Sequence, residues 1–342
     1  MRETLYSLCN HFMENKTKIK KNRRWDDTEL YPVCAAILAD KKKILDVGSV
    51  ERCGRILKRK TGVFSDFRST AKSVTVTMLA LNEKPEEKLG QAMKLYDALK
   101  GYFPQTHYLP VTAMMITELI TPEESDMIAA RTGHICRLMK KKSFFCIAGG
   151  DCVFAAMLSL SGLTDNQIVD EVERCCKLLI PRFGSGSEVL FLSYALAFFN
   201  GAAKEKCDKM LRMFYELKSW GYPYGASCEL VIPAVLSMIC TNSTDHKIAM
   251  EDIAADIMET NDFLAGQEGY GFFEEEKKRR LMHAGMLVIS DYKNGACGKA
   301  LNGDTGEGTV VIGKNIAIGK TNPLTAAWQI VLCAAIAESG IR

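Results

Sequence analysis

An aromatic residue recurs along the first two thirds of this 342-residue chain at an almost constant interval. Consecutive members lie 39, 39, 41, 39 and 39 residues apart, and they are Trp25, Phe64, Phe103, Phe144, Phe183 and Tyr222. Each opens a similar unit, in which polar or glycine residues precede an apolar stretch, a short break and a charged amphipathic stretch. A fixed period of about 40 residues is typical of helix-pair repeats. The pattern therefore predicts an all-α repeat protein.

The unit that follows Phe64 shows why both of its halves should be helical. Residues 70–82 are apolar on more than one side, and Pro85-Glu86-Glu87 then supplies the proline and the acids that suit a helix start. Residues 85–100 place apolar side chains at helical spacing and are followed by Gly101. A later unit contains Thr164-x-x-Gln167, which has the pattern of a capping box. Each unit is therefore expected to form a helical hairpin.

The two helices of each predicted pair differ in composition. The first is apolar nearly all round and rich in small residues, whereas the second keeps one charged face. A helix without a polar stripe must be covered on most sides. The sequence thus predicts an inner layer of first helices and an outer layer of second helices. We expect them to close into an α/α toroid rather than an open α-solenoid, whose inner face is usually more polar.

Four segments follow from this pattern: an N-terminal helix (1–24), the helical-repeat domain (25–292), a glycine-rich segment (293–321) and a C-terminal helix (322–342). Residues 309–318 alternate in a way that predicts a short β-hairpin around Gly313. The last helix contains fewer than the ~18 continuous apolar residues that a bilayer span requires. We therefore expect it to pack on the repeats.

Composition excludes several classes of function. A net charge of +3 gives no bulk argument for binding nucleic acid or a membrane. The basic run from Lys16 to Arg24 is interpreted as the solvated end of the first helix, offset by Asp26 and Asp27. The 13 cysteines are scattered without a Cys-x-x-Cys pair, and the N-terminus lacks the apolar segment of a signal peptide. These features predict a cytoplasmic protein.

Motifs for metals and cofactors are also missing from the sequence. The five histidines lie in different units and form no His-x-x-x-His pair, so no metal site is predicted. The glycines between Gly303 and Gly308 are not followed by the Lys-Ser/Thr of a phosphate-binding loop. We therefore expect no cofactor.

A ring of inner helices would gather the loops at their N-termini at one end. Converging N–H dipoles there favour an anionic or polar ligand. The ligand-binding candidates in these loops are Arg68, His107, Tyr108, Ser187, Tyr224 and Arg280. The carboxylates that could form the acid pair of a glycosidase-type site are Asp66, Asp151, Glu188 and Glu229. The simpler interpretation is helix capping, since Asp, Ser and Glu favour helix starts for local reasons.

Three stretches carry a family resemblance: Gly62-Val-Phe-Ser-Asp-Phe-Arg-Ser69, Pro85-Glu-Glu with Leu95-Tyr-Asp-Ala-Leu-Lys100, and Glu268-Gly-Tyr-Gly-Phe-Phe273 before Arg280-Leu-Met282. With the order of the units, they resemble a bacterial family of uncharacterised proteins, domain-of-unknown-function family 4003. The resemblance covers roughly residues 10–292 and implies a helical-repeat fold. It implies no activity and no catalytic residues.

Three functions are compatible with these observations. The leading hypothesis is a non-enzymatic binding or scaffold module for a peptide, a protein or a small anionic ligand. The alternative is a hydrolase or lyase with a carboxylate-based site at one end of an α/α toroid. The third is a homo-oligomer assembled through the glycine-rich segment, although the sequence does not establish the oligomeric state.

Overall fold

A computed structural model describes residues 1–22, 28–104, 106–142, 151–221, 224, 228–242, 247–270, 274–295 and 323–339. Within these ranges the regular secondary structure is helical apart from an antiparallel bridge between β1 (Thr241–Asn242) and β2 (Lys247–Ile248). The all-α prediction is therefore confirmed. The hairpin predicted for residues 309–318, together with Trp25, Phe144 and Tyr222, lies outside the described residues.

The helices follow the predicted order of units, with capping at several starts. The predicted capping box of Thr164 and Gln167 is present, and Pro85 begins its helix as expected. The bounds are α1 Glu3–Lys21, α2 Tyr31–Asp40, α3 Val47–Lys60, α4 Lys72–Ala80, α5 Pro85–Lys100, α6 Tyr108–Ile116, α7 Ser125–Lys140, α8 Asp151–Leu158, α9 Asp165–Phe183, α10 Ser187–Ala197, α11 Ala203–Ser219, α12 Val231–Ile239, α13 Met250–Ala265, α14 Glu274–Asn294 and α15 Pro323–Glu338.

The even-numbered helices are the first members of the pairs, and they are the more deeply buried ones. Every residue of α12 and all of α10 from Val189 onward are buried, whereas the odd-numbered α9 and α11 expose one face. Short 3-10 turns precede several of them, including Asp66–Arg68 before α4 and Cys228–Leu230 before α12. The difference between the two kinds of helix matches the expectation from their composition.

Contacts between helices follow a regular order. Each even-numbered helix from α2 to α12 contacts the next even-numbered helix, and α14 contacts α2. The odd-numbered helices contact one another in sequence from α3 to α13, and α1 contacts α13, α14 and α2. The first and last repeat helices are therefore neighbours.

The last helix, α15, lies among the even-numbered helices. It contacts α2, α8, α10, α12 and α14, and its residues from Leu324 to Ile336 are buried except for Thr325. The sulfur of Cys333 lies 3.3 Å from that of Met115 in α6. α15 thus has neighbours on most of its sides, as its uniformly apolar sequence requires. Among the described helices, none combines the length and apolar content that a membrane span requires.

A buried polar network joins α2 to α14. Lys293 and Asp40 form an ion pair at 2.8 Å, with both side chains almost completely buried. Ser290 donates to the same carboxylate at 2.6 Å, and Asn294 donates to the Asp40 carbonyl at 2.9 Å. These bonds satisfy charges that would be costly to bury alone. They fix the ends of the two helices against each other.

A second network ties the N-terminal helix to the same region. The Arg2 guanidinium donates to the Asp256 carboxylate at 2.8 Å and lies 4.4 Å from the centroid of the Tyr292 ring. Tyr292 also donates to Asp256, at 2.8 Å. The charge of Arg2 therefore links α13 to α14 through one shared carboxylate.

Candidate functional site

Three of the predicted site residues lie together near the start of α4. Tyr96 of α5 donates a hydrogen bond to the Asp66 carboxylate, and a ring nitrogen of His107 lies 3.1 Å from the Ser69 hydroxyl oxygen. The Arg68 guanidinium is 3.5 Å from a backbone carbonyl oxygen of residue 61. All three side chains are therefore engaged in local contacts, within the unit that Phe64 opens or with its neighbours.

A separate group of acids surrounds Cys228, at the N-terminal end of α12. The Cys228 backbone N–H donates to the Glu338 carboxylate at 3.2 Å, which brings the end of α15 to this point. Burial, followed by the charges of Glu338, Glu229 and Glu188, raises the pKa of the Cys228 thiol to about 12. The charges of Glu338, Glu229 and Glu188 therefore all act on the Cys228 thiol.

Two tyrosines from the predicted set border this acidic group. Burial, followed by the nearby thiols of Cys228 and Cys152, raises the pKa of Tyr108. Tyr224 is fully buried and donates to the Leu281 carbonyl oxygen at 3.3 Å, and burial raises its pKa as well. Both phenols therefore remain protonated at neutral pH.

The other predicted residues do not join either group through the contacts that are described. Ser187 is exposed at the start of α10. Arg280 of α14 donates to the Asn261 side chain of α13 at 2.9 Å, so it joins two consecutive helices. Asp151 begins α8, but its side chain lies outside the described part of the structure.

A cavity of about 200 Å³ opens beside Glu338, between α1, α2, α14 and α15. We refer to it as the Lys16 cavity. Its lining residues are Lys16, Lys20, Glu29, Tyr31, Pro32, Val33, Gly269, Tyr270, Arg279, Met282, His283, Ala335, Glu338 and Ser339. The lining carries three basic and two acidic side chains that are charged at neutral pH, and therefore one net positive charge.

The three cations of the lining are not equivalent. Lys20 pairs with Glu268 at 3.0 Å, and Arg279 pairs with Glu29 at 3.2 Å. The Lys16 ammonium instead faces the Tyr270 ring, 3.7 Å from its centroid. Among the described residues no carboxylate oxygen lies within the 4 Å of an ion pair from Lys16. Among the three lining cations, Lys16 is therefore the one whose nearest partner is an aromatic ring and not a carboxylate.

The surroundings of Lys16 disfavour its positive charge. Burial, with the repulsion from Lys20, lowers the pKa of Lys16 to about 8, although Glu268 acts in the opposite direction. At pH 7 a group with this pKa is still protonated by roughly ten to one. The cavity thus contains a partly desolvated ammonium whose pKa lies close to neutral pH.

His283 and Tyr270 form the neutral wall opposite this charge. The Tyr270 hydroxyl oxygen lies 2.8 Å from a ring nitrogen of His283, and both side chains are buried. Burial, with the charges of Lys16 and Arg279, lowers the pKa of His283 to about 3, and burial raises the pKa of Tyr270. Both groups are therefore uncharged at neutral pH and can only donate or accept hydrogen bonds.

Sequence reasoning missed Lys16 and His283. The basic run that begins at Lys16 was expected to be solvated, and this is wrong for Lys16 because its ammonium packs on Tyr270. Lys16 lies four residues after the buried Phe12, a spacing that places both on one face of α1. That spacing was the available signal, but nothing local relates it to a residue 254 positions away.

These elements define an all-α protein with a small basic cavity between α1, α2, α14 and α15. Residues 15–308 match the model of domain-of-unknown-function family 4003, which is described as a protein of unknown function. The match covers more than four fifths of the chain, and the chain belongs to this family. It continues past residue 292, where the resemblance in the sequence ended. No curated protein and no solved structure matches the chain.

Proposed function

We propose that this protein binds a small anionic ligand in the Lys16 cavity and acts as a binding module rather than as an enzyme. The observation that carries the proposal is the Lys16 ammonium, which is half-buried and stacked on Tyr270 without a carboxylate beside it in the described structure. An anion in the cavity would restore the charge compensation that Lys16 lacks. Lys20 and Arg279 line the same space and would add to the attraction.

The size of the cavity narrows the class of ligand. Drug-sized pockets occupy roughly 300–1,000 Å³, and the Lys16 cavity has about 200 Å³. This volume favours a single oxyanion group, such as sulfate, phosphate or a small carboxylate, over a peptide or a folded partner. The neutral Tyr270–His283 pair would contribute hydrogen bonds to the oxygens of such a group.

The titration properties of the lining favour binding over catalysis. A general acid or base works best when its pKa lies near the operating pH. The pKa of His283 is about 3, and that of Tyr270 is raised by burial, so neither exchanges a proton readily near pH 7. Lys16 has a pKa of about 8 and is able to exchange a proton near neutral pH, but Tyr270 and His283 beside it supply no second group of matching pKa. The cavity therefore supplies charge and hydrogen bonds without a matched acid–base pair.

The setting that we propose for this cavity is one end of a closed α/α toroid, with α15 filling the lumen. The contact between α14 and α2 supports closure, because an open solenoid would leave its first and last repeats apart. The buried Asp40–Lys293 pair at that contact and the covered surface of α15 support it further. The location that we propose, from the cysteine pattern, is the cytoplasm.

The hydrolase or lyase alternative receives support from one observation. Glu188 and Glu229 both act on Cys228, so two of the candidate carboxylates share one environment, and Glu229 is only 1% exposed. Buried carboxylates of this kind occur at the sites of acid catalysts. In this alternative the reaction would take place beside Glu338, next to the Lys16 cavity.

Sulfate is the appropriate probe, because it keeps its charge throughout the pH range of interest. We expect calorimetric titration at constant ionic strength to detect sulfate binding that Lys16→Met weakens at least tenfold. Lys18→Met is the matched control, since Lys18 lies on the same helix, is paired with Glu14 at 2.9 Å and does not line the cavity. Equal affinities of the Lys16 variant and the wild type would show that the site is not an anion site.

A further inference from the structure

The turn between α3 and α4 presents two apolar side chains to solvent. Phe64 is 97% exposed and Val63 is 74% exposed. The corresponding aromatic of the next unit, Phe103, is 9% exposed, and Phe183 is also partly buried. The repeat fold therefore does not require this position to be solvent-exposed. The adjacent Val63 and Phe64 side chains together form a small exposed apolar patch that is available for contact with a partner.

A recess lies directly beside this turn. It has a volume of about 370 Å³, and α5 forms one of its walls through Met93, Tyr96 and Asp97. Val63 and Phe64 themselves form part of its rim. The protruding ring and the space that can receive a ring thus belong to the same surface.

The recess is lined by equal numbers of acidic and basic side chains, and two of these side chains form no ion pair within the described residues. Asp97 and Lys100 are exposed on α5 and line the recess. Within the described residues neither is within ion-pair distance of an opposite charge, and the Lys100 ammonium is 5.2 Å from the centroid of the Tyr96 ring. One acid and one base on a single face can pair with the same two groups of another copy. A lipid surface would instead favour a purely basic rim.

From these observations we propose that the protein forms a twofold-symmetric homodimer through this face. Phe64 of each copy enters the recess beside α5 of the other, and Asp97 pairs with Lys100 of the partner subunit. A twofold arrangement buries both rings at once and leaves no copy of the patch free, so assembly stops at the dimer. The proposal is independent of anion binding, because the Lys16 cavity lies between other helices.

Sedimentation velocity over a range of protein concentrations tests the proposal. We expect a reversible monomer–dimer equilibrium, in which Phe64→Asp raises the dissociation constant at least about tenfold, as loss of a central aromatic contact does. Leu178→Asp is the control, since Leu178 is another exposed apolar residue but lies on α9. Phe64 lacks core contacts, so this variant should retain its circular dichroism spectrum.

A charge-exchange experiment tests the symmetry itself. Asp97→Lys and Lys100→Asp should each weaken their own homodimer, because like charges then face each other twice across the axis. A mixture of the two variants should form a heterodimer, in which both pairs are restored, and native mass spectrometry would detect it. A wild type that stays monomeric at about 1 mM, a dimer insensitive to Phe64→Asp, or a mixture without heterodimer would overturn the proposal. Binding of the monomer to anionic vesicles through Phe64 would do the same.

Discussion

The Asp40–Lys293 pair gives the sharpest test of how α2 and α14 are joined. Lys293→Met removes the closest ammonium but leaves the Asp40 carboxylate almost completely buried, with Ser290 and Asn294 as neutral donors and the exposed Lys41 ammonium 4.0 Å away. Removing one partner of a buried ion pair typically costs about 3–5 kcal/mol, because the remaining charge loses most of its compensation. We therefore expect the free energy of unfolding to fall by about this amount.

The corresponding shift in melting temperature follows from the length of the chain. An unfolding entropy of roughly 2.1 cal/mol/K per residue gives about 0.7 kcal/mol/K for 342 residues. A loss of about 3–5 kcal/mol would then lower Tm by roughly 4–7 °C. Urea unfolding followed by circular dichroism would measure the free energy, and calorimetry the shift in Tm.

The double variant Asp40→Asn/Lys293→Met is the control for this experiment. It removes both charges while keeping the size of the two side chains, and replacement of a complete buried pair is often close to neutral. We expect the double variant to recover most of the stability that Lys293→Met loses. A single variant within about 1 kcal/mol of the wild type, or a double variant as unstable as the single one, would refute a buried pair at this junction.

Three further predictions concern stability. Arg131→Ala should lower the free energy of unfolding, measured in urea, by about 2–4 kcal/mol, because Arg131 donates to three backbone carbonyls after α8 and to Asp165. Arg137→Ala is the control, since it loses one hydrogen bond of 3.4 Å and should lower the free energy of unfolding much less. Gly285→Ala should destabilise the protein by about 1–3 kcal/mol, since its methyl group would lie 2.2 Å from an Ile232 side-chain carbon of α12; unchanged thermal stability would argue against this close approach. The pKa of His283 falls from 6.5 to about 3 on folding, so the unfolded state takes up a proton on this side chain at a higher pH than the folded state does. The free energy of unfolding should therefore decrease as pH falls from 6.5 towards 3. His283→Gln should flatten that part of the pH–stability profile, and a variant profile identical to that of the wild type would show that His283 does not cause the decrease.

Local physical rules recovered much of the fold from the sequence. The apolar first helices, the proline at Pro85 and the capping box at Thr164 depend on residues close in sequence, and each is present in the structure. The position of α15 was harder to predict. Its apolar character requires cover on most sides, but the sequence does not specify whether it packs outside the repeats or among the inner helices.

The Lys16 cavity could not be found by the same reasoning, because its parts come from the two ends of the chain. Lys16 belongs to α1, whereas Tyr270 and His283 lie 254 and 267 residues later. No repeat relation connects them, and Lys16 lies in a basic run typical of a solvated helix end. Acids near the helix starts are visible in the sequence, and the charges of Glu188 and Glu229 both act on the Cys228 thiol.

The central claim is that an anion in the cavity compensates the charge of Lys16, and the proton affinity of this one side chain tests it most directly. With ¹³Cε-labelled lysine, nuclear magnetic resonance can follow the Lys16 signal against pH, with assignment by its disappearance in Lys16→Met. Without sulfate the midpoint should lie near pH 8. Saturating sulfate should raise it by roughly one unit or more, because a nearby negative charge stabilises the ammonium. An unchanged midpoint at saturating sulfate, with chloride as the matched salt, would contradict the account.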